Sequence, residues 1–338
     1  MSSGNVLGDA SPFRTPAASP QLHYDLRPLS TGEVLDRTFQ VYRSRFALFA
    51  GLALLPAAVS VVTNALRLIY AAHQDVHIHT GTALYRVQII SALLSVVSGL
   101  ISMVLYGITQ AATTWAVSAV YLGEAASIKE AYGVAFKHWF RYTVIVLRQV
   151  WTFMWLPFLL LMTAVTFSIL SKRNTTFVWL AILAFVLLFL SMIYALWAYI
   201  RVLLAVPAAV VESLNVRGAV KRSKQLLASR KVRIFLLILL LGALYMVVGL
   251  IESPLLILAV RTRGVQAFIT QAINLSVSFV AGTLIGPVGA IAVCLFYFDE
   301  RVRREGFDIE WMMKKLAPAP AVAQGAVTPP QENPAESA

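Results

Sequence analysis

Residues 30–66 read STGEVLDRTFQVYRSR and then FALFAGLALLPAAVSVVTNAL, and this pairing of a basic segment with an apolar run is the pattern on which the rest of the chain is built. The first part opens on a capping box, with Ser30 as N-cap and Glu33 three residues on. Leu35, Phe39, Tyr42 and Phe46 then recur at helical spacing, with Arg37, Arg43 and Arg45 offset from them. That pattern predicts a basic amphipathic helix lying in the headgroup plane. The second part carries no charge over 46–66, about the 20 residues a helix needs to cross a bilayer core of about 30 Å.

Five more charge-free runs follow, at 87–123, 149–171, 174–200, 234–251 and 264–298. Lys and Arg are distributed unevenly between them. The segment before residue 46 holds five, 122–142 three, 201–233 eight and the segment after 298 five, or 21 of the 28 in the chain. The connections 67–86, 171–176 and 252–267 hold two each. Basic residues stay on the cytoplasmic side during insertion, so the expectation is six spans with both termini cytoplasmic.

Composition agrees with that reading. A hydrophobic fraction of 59%, 13% charged residues and a mean hydropathy of +0.74 exclude an ordinary soluble domain. The net charge of +12 would suggest nucleic acid in a soluble protein. Here it clusters beside spans, which points to anionic membrane phospholipids as the partner and away from nucleic acid. The lone Cys294 cannot form an internal disulfide. Residues 1–29 and 317–338, rich in Ala, Pro and small polar residues, are expected to be disordered cytoplasmic ends of a helical transmembrane domain over 30–316.

Span lengths alternate. Runs two and six are far longer than a bilayer requires, and the fourth continues past Arg201 as an apolar run to residue 211. The N-cap pattern recurs at Ser127 with Glu130, and at Asn215 without the Glu. An offset of 97 superposes Ser30 on Ser127 and Phe39 on Phe136, and an offset of 88 superposes Ser127 on Asn215 and Ala131 on Ala219. The chain is therefore read as an all-α membrane protein of three repeated units, about 30–123, 127–211 and 215–298. Each unit holds a cytoplasmic interfacial helix, a short span and a long span.

Three stretches carry a family likeness: LRPLSTGEVLDRTFQVYR at 26–43, PAAVVES at 207–213 with RSKQL at 222–226, and FDERVRREGFD at 298–308. On these the chain resembles the glycerophosphoryl diester phosphodiesterase membrane domain, a bacterial family of polytopic proteins. The resemblance implies a helical module of the bacterial inner membrane. The family takes its name from fusions to a separate catalytic barrel, whose metal-binding Glu and His set this chain lacks, so the implied activity does not transfer.

Candidate chemistry is sparse. His73, His77 and His79, with Asp75, share the first external loop and would offer imidazoles to a metal, but three histidines in a polar loop are more often solvated, and no cofactor is expected. No phosphate-binding glycine loop and no nucleophile with a base is recognisable, which argues against an enzyme. Gln88, Gln110, Gln271 and Asn274 form a possible polar path, against which stands ordinary interhelical hydrogen bonding. Ser278, Gly282, Gly286 and Ala290 form a ridge of small residues that predicts close approach to a neighbouring helix and a central place for the sixth span.

The strongest cluster lies at the cytoplasmic ends. Glu212 closes the fourth span and Arg217, Lys221, Arg222 and Lys224 follow it, while Asp299, Arg301, Arg303, Arg304, Glu305 and Asp308 follow the sixth. Cross-pairing would clamp the unit ends together or hold a lipid phosphate. These features favour a non-enzymatic module that organises lipids or a partner membrane protein at the cytoplasmic leaflet, with a transporter or lipid-translocating protein as the alternative.

Overall fold

The computed structural model describes residues 29–74, 81–172, 174–228, 231–262 and 264–306. Among these, all regular structure is helical. A short helix α1 (Thr31–Ser44) leads into α2 (Phe46–Gln74) and α3 (Gly81–Tyr121). Then come α4 (Ile128–Lys137), α5 (Trp139–Leu170), α6 (Thr176–Ile200) and α7 (Ala205–Val211). Last are α8 (Val216–Leu226), α9 (Lys231–Arg261) and α10 (Val265–Glu305). Six spans are long and apolar enough to cross a membrane, with α6 and α7 together making the fourth. Trp179 and Phe189 on α6 are 72% and 71% exposed, a surface suited to lipid and costly in water.

The short helices begin where the sequence places them. Ser30 accepts from the Glu33 amide while the Glu33 carboxylate accepts from the Ser30 amide, and Ser127 and Glu130 repeat the exchange at α4. Asn215 caps α8 through the Gly218 amide. All three precede a span that leaves the same end of the bundle, called here the basic end. The residues of α1 and the start of α2 divide between two surroundings. Val34, Thr38 and Val41 are buried against the protein, Leu35 and Tyr42 are half-buried on the core, and Phe39 and Phe46 face outward.

Several helices overrun the charge-free runs. α2 passes Arg67, α3 starts before Arg86, α5 includes Arg141 and Arg148, and α9 includes Arg233, Glu252 and Pro254. Arg and Glu are good helix formers, and a long side chain can reach back to the interface, so a charge marks the edge of the apolar zone and not the end of a helix. α3 and α10, at 41 residues each, are about 60 Å long, twice the hydrocarbon thickness.

The fourth span departs from expectation. The uncharged residues after Arg201 read as a continuation, but the helix stops at Ile200, turns over 201–204 and restarts at Ala205. Buried polar side chains satisfy the break. The Gln149 amide of α5 donates to the carbonyls of Val202 (2.8 Å) and Leu203 (3.4 Å). The buried Ser223 hydroxyl of α8 donates to the Arg201 carbonyl (3.0 Å) and accepts from the Leu204 amide (3.2 Å). Buried irregular backbone persists only where protein groups replace the missing partners.

α10 is the hub, packing against α1, α2, α3, α7, α8 and α9. Its half nearest the basic end is the core of the molecule, with Ile291, Cys294, Leu295, Phe296, Tyr297 and Phe298 all buried.

Candidate functional site at the basic end of the bundle

Asp299 and Glu300 sit side by side near the end of α10 with no side-chain exposure at all. Successive residues on a helix point about 100° apart, so the two carboxylates serve different neighbours. Asp299 accepts from the Leu29 amide (2.7 Å), from Arg233 Nη1 (2.9 Å) and from Arg303 Nε (3.0 Å). Arg233 and Arg303 each also donate to the Leu29 carbonyl at 2.6 Å. Both backbone groups of Leu29 are thus held, which fixes the entry to α1 against α9 and α10. Glu300 faces Arg233 at 3.3 Å and Arg304 at 3.7 Å. A lone carboxylate buried this way would cost several kcal/mol, and two guanidinium groups apiece offset that.

A second network joins α7, α8 and α10. Both Glu212 oxygens accept from Arg222 Nε at 2.9 Å, and Tyr297 Oη donates to Glu212 at 2.6 Å. Arg222 continues to Glu305 (2.5 Å), which also receives Arg301 Nε (3.1 Å), while Arg301 lies 3.8 Å from Glu212. Arg304 donates to the Gln225 carbonyl at 2.9 Å. Burial alone would lower the Arg222 pKa, but its bonds to Glu212 and Glu305 outweigh that and hold the guanidinium above its ordinary value.

Four of the sequence candidates, Glu212, Arg222, Arg301 and Glu305, therefore meet in one chain of ion pairs. Asp299 belongs to the neighbouring network, and Arg304 touches both. Asp308 lies outside the described residues. Arg303, named in the cluster after the sixth span, pairs with Asp299, whereas sequence reasoning missed Glu300, Tyr297 and Arg233. Arg303 and Arg304 were visible as i,i+4 partners of Asp299 and Glu300. Arg233 is 66 residues from Asp299 and carries no local signal. The stretches quoted for the family likeness meet here, through Leu29, Glu212, Arg222 and Asp299.

Arg217 stands apart. It lies exposed on α8, one and two turns before Lys221 and Lys224, and these three line a groove of about 450 Å³ together with Arg148 of α5. Val220, Gln225 and Ala228 complete the lining, which includes no carboxylate. None of the four cations has an ion pair or hydrogen bond among the described residues. The groove is a concave cationic surface beside networks in which every guanidinium is engaged.

The polar-path residues separate as well. Gln271 and Asn274 line a cavity of about 440 Å³ with Ser60, Asn64 and Arg67 of α2. Gln110 lines an adjoining cavity of about 250 Å³ and donates to Tyr106 Oη at 2.7 Å. Gln88 is exposed on α3 and lines neither. The small-residue ridge gives half of what its spacing predicts: α10 is central, but the ridge does not itself meet a neighbouring helix closely. A Cβ at Gly282 or Gly286 would meet nothing within 4 Å, because the ridge faces the smaller cavity and not a helix. A glycine that does meet the backbone of a neighbouring span is Gly107, where a Cβ would come 3.1 Å from the Thr143 backbone of α5.

His73 falls in the last turn of α2, while Asp75, His77 and His79 lie outside the described residues. Among the described residues no three His, Cys, Asp or Glu side chains gather. With the geometry in place, comparison with known proteins adds no family: no protein-family model, no curated protein and no solved structure matches the chain.

Proposed function

We propose that this is a bacterial inner-membrane protein with both termini in the cytoplasm, built from three repeated units, that binds anionic phospholipid headgroups at its basic end. In this reading it is a non-enzymatic module that organises lipids, or a partner membrane protein, at the cytoplasmic leaflet. The resemblance to the glycerophosphoryl diester phosphodiesterase membrane domain gives the class. The observation that carries the reading is the groove of Arg148, Arg217, Lys221 and Lys224, whose charged groups have no partner among the described residues while their neighbours are paired. The ion-paired networks have the opposite role and hold the helices that shape the groove.

Each cation near an anionic surface contributes on the order of 1 kcal/mol. Neutralising Arg217, Lys221 and Lys224 to Gln should therefore weaken phosphatidylglycerol binding by about 3 kcal/mol, roughly a hundredfold, and leave phosphatidylcholine binding unchanged. Titration of the purified full chain in neutral detergent measures this. Equal phosphatidylglycerol binding by the triple variant and the wild type would rule the groove out.

Movement of a lipid or solute across the membrane is the second reading, favoured by the adjoining cavities between α2, α3 and α10. Transport in proteoliposomes that survives the groove substitutions but is lost on filling the cavities would support it over the first.

A further inference from the structure

The two cavities between α2, α3, α9 and α10 share lining residues: Ser60, Leu275 and Ser278 border both. They form one bent space with two chemistries. The section toward the end away from the basic face is polar, with Asn64 and Arg67 of α2 opposite Gln271 and Asn274 of α10. The other section is mainly apolar, bounded by residues such as Ala53, Pro56, Val61, Phe279 and Ala290.

Three features suit this space to an occupant. Gly282 and Gly286 hold the apolar section open, since ordinary side chains there would project into it. The apolar section is a partly open pocket of about 250 Å³ whose lining atoms lack protein contacts on one side, contacts that a chain of methylene groups would supply. In the polar section the Asn274 Oδ1, an acceptor, is buried without a hydrogen-bond partner and would take a hydroxyl or acid proton from an occupant, while Arg67 supplies the positive charge for its anionic group. Arg67 and Gln271 likewise have no side-chain partner among the described residues. The carboxylate nearest this lining is Glu252, and it is engaged by the Ser278 hydroxyl at 2.8 Å.

Length discriminates further. From Arg67 to Ala53 along α2 is about 21 Å at 1.5 Å per residue. One acyl chain spans half the hydrocarbon core, about 15 Å. The space therefore takes one chain plus a headgroup, and its narrow apolar section suits one chain and not two.

We propose that this space is a binding site for a single-chain anionic amphiphile, with its acidic head at Arg67, Asn64, Gln271 and Asn274 and its chain along Gly282 and Gly286. The head is a carboxylate, as in a fatty acid, or a phosphate, as in a lysophospholipid. The shared requirement is one negative charge on one chain. This site does not depend on the basic groove, from which it differs in both its lining and its ligand shape.

The test is binding to the purified, delipidated full chain of three probes: palmitate, lysophosphatidylglycerol and an uncharged monoacylglycerol. The wild type is expected to bind palmitate or lysophosphatidylglycerol saturably at one per chain, and which of the two binds identifies the head. Arg67→Gln is expected to weaken the anionic probe at least tenfold and leave the monoacylglycerol unchanged. Gly286→Leu, which fills the apolar section, is expected to weaken all probes that bind. Because Gly286→Leu is a buried change, its folding is checked by size exclusion and thermal unfolding, and Arg67→Gln carries the test alone if it fails. The Arg217→Gln, Lys221→Gln, Lys224→Gln variant is expected to bind the amphiphile normally, which separates this site from the groove. Absence of saturable binding, or equal binding by Arg67→Gln and wild type, overturns the proposal.

Discussion

Tyr132 donates a 2.5 Å hydrogen bond to the carbonyl of Leu52, the group that Pro56, four residues on, leaves without its helical donor. A residue of the short helix α4 thereby completes the backbone of the first span, 80 positions away. Leaving a buried carbonyl unsatisfied costs about 1–3 kcal/mol, so Tyr132→Phe should destabilise the protein by that amount in thermal unfolding. In a Pro56→Ala background the helix supplies its own N–H, and the same change should cost at least about 0.5 kcal/mol less. Burial raises the Tyr132 pKa above its ordinary value. Above about pH 10 the unfolded chain loses this proton first, so stability from this group is constant at lower pH and falls as pH rises further.

Arg233 holds Asp299, Glu300 and the Leu29 carbonyl at once. Arg233→Met would leave two fully buried carboxylates with one guanidinium each. Breaking a buried pair from one side costs about 3–5 kcal/mol, and the surviving partners Arg303 and Arg304 place this variant near the lower end. Protease protection of the segment entering α1 should fall in the same variant, because its anchor at Leu29 is loosened.

The broken fourth span depends on two side chains from other helices. Gln149→Leu removes the donor for the Val202 and Leu203 carbonyls, and Ser223→Ala removes both bonds that close the turn. Each should destabilise by about 1–3 kcal/mol. The double variant should expose the turn at Arg201 to trypsin, with the wild type expected to resist cleavage there.

Ser213, just after α7, holds a left-handed backbone with φ of 53°. The ends of α3 and α10 place Gly123 and Gly306 in the same region, where glycine meets no steric cost. Ser213→Gly should therefore stabilise the protein by about 0.5–1 kcal/mol, net of the added freedom of the unfolded chain. Denaturant midpoints for the pair of proteins measure it.

The spans were legible because they rest on local signals: a charge-free run needs no knowledge of its neighbours, and Ser30 with Glu33 caps a helix wherever it sits. The break at 201–204 was not, since Val202, Leu203 and Leu204 are as apolar as any helix interior and their partners Gln149 and Ser223 lie on other helices. The ridge from Ser278 to Ala290 misled for a related reason. Small residues permit either close packing or a void, and only the position of α2 and α3 decides between them. At the basic end, sequence proximity brought Glu212 and Arg222 to notice. The separation of Arg217 from that network into the groove with Arg148 is a product of how α5 meets α8.

Headgroup binding at the basic groove is tested most directly by what remains bound to the protein when it leaves its own membrane. Native mass spectrometry of the wild type and of the Arg217→Gln, Lys221→Gln, Lys224→Gln variant, each released from membrane-derived nanodiscs, measures that. The expected result is a stoichiometric anionic phospholipid on the wild type that is lost from the variant, with folding intact in both. A wild type carrying no anionic phospholipid, or a variant that retains it equally, would contradict the account.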